Sequence, residues 1–208
     1  MRRRMMQWVG GVSLMTVVGC AASGDIIPIQ VQPLIQGQEK RVAPGGGLRV
    51  AVTPFEDGRS HKDGLGTRTH LWGGVSYFTV PGGNSGETVA RALVTFLESR
   101  GWQAELVKPG APSSGADVAL SGMIQELAVS AKSGVGSTKI ATQSKLNLQA
   151  RNLADGSLIK LTLDGAGSDR VFWFSPEDVQ AVLNDELTQS FGRLVQSTQV
   201  KDERLLLK

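Results

Sequence analysis

Three consecutive stretches in the second half of the chain, residues 117–132, 138–152 and 157–167, alternate apolar and polar side chains. No other feature constrains the fold as much. Successive side chains of a strand point to opposite faces, so each stretch has one face to bury and one to leave in water. In the middle stretch Ile140, Leu146, Leu148 and Ala150 share one parity. Asp155-Gly156 is a hairpin signal between the second and third stretches, and Ser133-Gly134-Val135-Gly136-Ser137 supplies the turn before them. The three strands are therefore expected to form an antiparallel meander with one apolar face that needs a cover.

Two helices are placed to provide it. Asn84-Ser85-Gly86-Glu87 reads as an N-cap with a capping-box glutamate, and Val89, Leu93, Phe96 and Leu97 follow at helical spacing up to Gly101, a left-handed C-terminal cap. The second helix starts at Ser175-Pro176-Glu177-Asp178, with proline in the first turn and acidic residues at the positive end of the helix dipole. Its apolar stripe runs through Val179, Val182, Leu183, Leu187, Phe191, Leu194 and Val195. Shorter strands are expected at residues 48–55, 75–80 and 102–107, with a long polar loop over residues 56–74. The fold class is α+β: one antiparallel or mixed sheet with two helices packed on one face, in βα then βββα order.

Upstream, the chain opens MRRRMMQWVGGVSLMTVVGC, a charged start, an apolar stretch from Met5 to Val18, and a small residue before Cys20. The stretch falls short of the roughly 20 apolar residues that a spanning helix needs, and it has the form of a targeting signal. Val17-Val18-Gly19-Cys20 fits a lipobox: cleavage is expected between Gly19 and Cys20, with the Cys20 thiolate taking a diacylglycerol group. Two or three acyl chains make a lasting anchor where one would be marginal. Ala21, a non-aspartate residue after the cysteine, points to the outer membrane, with the domain on the periplasmic side, rather than to the inner membrane.

Cys20 is the only cysteine, so neither an internal disulfide nor a cysteine-ligated zinc is open to the domain. The chain has 22 basic and 19 acidic residues, but Arg2, Arg3 and Arg4 lie in the segment to be removed, which leaves 19 of each. A neutral chain lacks the surplus of Lys and Arg that phosphate binding needs, and nucleic acid is excluded as a partner. The expected organisation is a signal over residues 1–19, a lipidated cysteine and tether over 20–47, one domain over 48–200 and a charged tail over 201–208. Within the tether, the apolar run from Ile26 to Leu34 is broken by Pro28 and Pro33, which suits an edge strand or an extended segment. The tether is expected to let the domain stand off the bilayer.

Taken with the Val50-Ala51-Val52 strand leading into Asp57-Gly58-Arg59, the helix ending at Arg100-Gly101-Trp102, the strand from Asp117, the strand from Ile140 to Ala150 and the closing helix with Leu183-Asn184-Asp185-Glu186-Leu187, this sequence resembles the YajG family of bacterial lipoproteins. The resemblance covers nearly all of the chain after Cys20. It departs from the family pattern in a longer loop after Arg59, which carries His61, His70, Trp72 and Tyr77. What it implies is an outer-membrane-associated lipoprotein, a family without an agreed biochemical activity.

Candidate chemistry is sparse. His61 and His70, the only histidines, share the 56–74 loop with Glu56, Asp57 and Asp63, but their separation matches no ligand spacing on a helix or strand. A hydrolase or metal-dependent enzyme built on that loop is the alternative reading; a solvated loop is preferred, with no catalytic or metal residue. Asp57 and Arg59 are expected to pair and fix the loop base. Phe172-Trp173-Phe174, read as strand, would put alternate rings on opposite faces, so with Trp72 it forms a candidate contact surface for an envelope protein or a glycan; packing onto the closing helix is the competing reading. The expected function is a non-catalytic binding or assembly module. Its partners are the membrane, through the lipid, and a protein or cell-wall component of the envelope. The covalent diacylglycerol and N-acyl lipid on Cys20 are the only attached groups expected.

Overall fold

A computed structural model describes residues 24–33, 48–110 and 115–208. The signal, Gly19, Cys20 and most of the tether lie outside the described residues. Its centre is β7 (Val118–Gly134), which pairs along its whole length with antiparallel β8 (Ser137–Asn152); β8 in turn pairs with antiparallel β9 (Leu158–Val171). This is the expected meander, and the turn between β7 and β8 is tighter than expected, only Val135 and Gly136. Thr138, Ile140, Thr142, Ser144, Leu146, Leu148, Ala150 and Asn152 of β8 are all buried, alternate residues on one face.

The other edge of β7 is shared by three short parallel strands in turn. β2 (Arg49–Val52) meets Val118 to Leu120, β3 (Glu56–Asp57) meets Met123 and Ile124, and β4 (Gly66–Thr69) meets Val129 to Lys132. The mixed sheet is completed by β5 (Val75–Thr79), antiparallel to β4, by β6 (Gln103–Leu106), parallel to β2, and by β1 (Ile26–Pro28), parallel to β5. Helices α1 (Ser85–Ser99) and α2 (Pro176–Ser197) cover the same face and touch through Phe96 and Phe191, whose ring centroids are 5.7 Å apart. The α+β class and the two helices on one face are as read from the sequence. Phe78, Phe96, Phe191, Leu93, Leu120, Ile124 and Ile140 are fully buried in the shared core, each worth about 1.5–3 kcal/mol over exposure.

Both helix starts follow their sequence signals. The Asn84 side chain accepts from the Glu87 N–H at 3.0 Å, although the Glu87 carboxylate pairs with Arg91 at 2.6 Å instead of completing a capping box, and the Asp178 carboxylate accepts from the Ser175 N–H at 2.8 Å. At the end of α1, Gly101 (φ +86°) lets its N–H reach the Glu98 carbonyl while the Trp102 N–H reaches that of Leu97, a Schellman closure. α2 lies close against β9 because Gly165 and Gly167 face it; a Cβ at Gly165 would collide with the Glu186 carboxyl.

Four expectations are corrected. The 56–74 loop contains β3 and β4; Gly-Thr-Arg-Thr has no apolar alternation to reveal β4, which exists because its backbone pairs on both sides with β5 and β7. Residues 24–33 belong to the domain and not to the tether: β1 is the edge strand that the prolines suited, and Ile29 and Val31 beyond it are buried in the core. The 201–208 tail is ordered, since β10 (Thr198–Lys201) and β11 (Arg204–Leu207) form a hairpin with Leu205 fully buried. Phe172, Trp173 and Phe174 lie beyond the end of β9, not on a strand.

Candidate functional site

Arg59 is buried, and every arm of its guanidinium is occupied. Nε and Nη2 donate to the two carboxylate oxygens of Asp57 at 2.9 and 2.7 Å, Nη1 to the carbonyls of Gly64 (2.8 Å) and Leu127 (3.1 Å), and Nη2 also to Ser85 Oγ (2.9 Å). The Arg59 hydrogen bonds hold the Asp57 carboxyl below the usual carboxylate range despite partial burial. One side chain thus ties β3, the following loop, β7 and the start of α1 together. The pair is a structural knot, with no donor left to aim at a ligand.

The histidines do not converge. His70, at the end of β4, shares a 2.7 Å hydrogen bond with Ser76, while His61 lines an open cavity of about 400 Å³ beside the start of β4 with Asp63, Thr67, Tyr77 and Glu126. Among the described residues no three of His, Cys, Asp and Glu come close enough to hold a metal ion. A second polar cluster, which sequence reasoning missed, lies under α2. The Glu186 carboxyl is buried, accepts from Ser144 and, at 3.3 Å, from Ser190, and keeps one oxygen unpartnered among the described residues; burial raises it above its ordinary value of 4.5. It is sealed between helix and sheet.

The candidate contact residues separate into two roles. Phe174 turns inward, 6.4 Å from Phe78 by ring centroids, and the Arg68 guanidinium stacks over it at 3.7 Å. Phe172 and Trp173 turn outward and meet edge to face at 5.6 Å, 71% and 83% exposed. Trp72, in the turn between β4 and β5, is 90% exposed, and Val135, at the β7–β8 turn, is 91% exposed. Register brings these three segments to one end of the sheet: Thr69 pairs with Lys132 and Val75, Gly134 with Ser137, and Thr138 with Val171. Just behind this apolar end, Lys132, Lys139 and Arg170 stand side by side across β7, β8 and β9, all exposed on the face opposite the core. Val135 was absent from the candidates, although an apolar residue between two glycines at a hairpin tip was a visible sign.

The sequence matches no family model and no curated protein. Among solved structures it is similar to the DUF330 protein XCC0632 from Xanthomonas campestris, at 14% identity over 84% of this chain and 93% of that one, with a TM-score of 0.49. It is similar to a putative neuraminyllactose-binding hemagglutinin homolog from Helicobacter pylori, at 14% identity over 82% and 89% of the two chains, with a TM-score of 0.37. It is also similar to the lipoprotein GNA1162 from Neisseria meningitidis, at 8% identity over 72% and 99%, with a TM-score of 0.38.

Proposed function

We propose that this chain is a lipid-anchored protein of the bacterial envelope, related to the YajG lipoproteins, whose domain is a non-catalytic binding or assembly module. The observation that carries this reading is Val17-Val18-Gly19-Cys20 at the end of a basic then apolar segment, with the sole cysteine at the lipidation position. Among the described residues no helix is long and apolar enough to cross a membrane, which is compatible with attachment through a lipid. The non-catalytic reading is supported by how the polar groups are used: Arg59 and Asp57 are spent on each other and on the backbone, and His70 on Ser76. Ala21 favours the outer membrane, periplasmic side.

Metabolic labelling with a fatty acid tests the anchor. Wild-type protein is expected to take up label and sediment with membranes, while Cys20→Ala takes up none and keeps its first 19 residues. Unlabelled wild-type protein in the soluble periplasmic fraction would overturn the proposal.

A further inference from the structure

The start of the domain, at Gly24, lies beside the turn that carries Trp72, on the β5 side of the apolar end of the sheet. β1 runs parallel to β5, and ahead of it the Gly24 N–H donates to the Val75 carbonyl at 2.7 Å, at the close of the turn that carries Trp72. Cys20 is four residues before Gly24, and four residues of chain span at most about 14 Å. If Cys20 carries a lipid, that lipid is attached within that distance of Gly24, beside the turn that carries Trp72. So short a connection would leave a lipid-anchored domain little room to stand away from the membrane, and a protein docking on this end would compete with the bilayer for it.

We infer that the end formed by Trp72, Val135, Phe172 and Trp173 is a membrane-seating surface that rests in the headgroup region of a lipid bilayer containing anionic lipid. The inference rests on lipidation of Cys20. Its chemistry fits on three counts. Tryptophan, with an apolar body and a polar N–H, favours the membrane–water boundary. The exposed side chains come from three separate turns, so they form a rim that can press into a surface rather than a groove shaped for a peptide. The row Lys132, Lys139 and Arg170 lies directly behind the rim, at headgroup depth, where cations are drawn to anionic lipid. Asp169, the nearest acid in sequence, pairs with Ile140 rather than with Lys139, and its exposed carboxylate accepts the Arg170 N–H at 2.6 Å, so it is not a member of the row.

The test uses the lipidated full chain reconstituted in phosphatidylethanolamine and phosphatidylglycerol vesicles, with plain or with brominated acyl chains. After removal of residues 1–19 the tryptophans are Trp72, Trp102 and Trp173, of which Trp102 is buried. Bromine is expected to reduce the emission of the wild-type protein. The loss shrinks in Trp72→Ser and in Trp173→Ser, and vanishes in the double variant, where only Trp102 emits. Protein that floats with the vesicles but is not quenched in the wild type overturns the inference, leaves the anchor intact and frees this end for a protein partner. Protein that does not float overturns the anchor reading and the inference together.

Discussion

The two ends of the long sheet are finished in opposite ways. At the end where β8 stops and β9 starts, polar side chains hold the elements together. The buried Asn152 amide donates to the Leu205 carbonyl at 2.9 Å and to Ser157 Oγ at 2.8 Å, and accepts the Leu205 N–H at 2.8 Å, so it holds β11 as a strand neighbour would. Arg204 pairs with Asp155 at 3.1 Å, and Arg49 with Asp117 at 2.7 Å. Leu153 and Leu158, the exposed leucines there, each keep less than half their surface in water. At the opposite end large apolar side chains stand almost free. A chain that seals one end with hydrogen bonds and leaves tryptophans bare at the other has no general difficulty covering apolar surface. On the inference that this end rests on a bilayer, its bareness follows from what it faces.

Breaking the sealed end has the largest expected effect. Asn152→Ala leaves the Leu205 N–H and carbonyl without their partner in a buried place, and a loss of about 2–3 kcal/mol is expected in urea denaturation. The same end carries an acid dependence. Hydrogen bonds from Ser157, then Arg204, lower Asp155 from 3.8 to about 2. A lowered carboxyl stabilises the fold above its unfolded value and loses that contribution as the pH falls through its folded one. The urea midpoint should therefore drop between pH 3.8 and about 2 by less in Asp155→Asn than in the wild type.

Between the two ends, Glu186 titrates in the other sense. Its folded value is raised above 4.5, so its contribution is complete below pH 4.5 and declines as the pH rises through the folded value. Glu186→Gln should abolish this decline and unfold at higher urea than the wild type at neutral pH. A smaller gain is expected at the terminal hairpin. Asp202 (φ 51°) and Glu203 (φ 57°) both hold left-handed backbone in a two-residue turn that favours Asn-Gly. Replacing the pair, Asp202→Asn with Glu203→Gly, should stabilise by about 0.5–1 kcal/mol in the same assay. The smallest effect belongs to the bare end: Trp72→Ser and Trp173→Ser should each change stability by less than about 0.5 kcal/mol, because almost nothing in the fold covers them.

How much of this was legible in the sequence follows from where its information is local. The meander and both helices could be read because alternation, turn residues and caps are short-range signals; Asn84, Gly101, Asp155-Gly156 and Ser175 each stand where they act. β4 was hidden because its pairing partners, not its own side chains, make it a strand. The 201–208 segment reads as a charged tail until Asn152, 53 residues before Leu205, is seen to hold it. The aromatic end was half legible: Trp72, Phe172 and Trp173 could be named as contact residues, but their assembly with Val135 depends on the register of β4, β7, β8 and β9. The anchor proposed at Cys20 lies outside the described residues, and its place beside that end rests on β1 pairing with β5 and on the Gly24 bond to Val75, neither of which the sequence reveals.

Thiol protection in reconstituted vesicles measures the difference between the ends most directly. With Cys20 consumed by lipid, an introduced cysteine is the only free thiol. Val135→Cys should resist a water-soluble maleimide in intact vesicles and react fully once detergent is added, whereas Ala154→Cys, at the sealed end, should react equally in both conditions. Equal and rapid labelling of the two positions in intact vesicles would contradict a membrane-seated end.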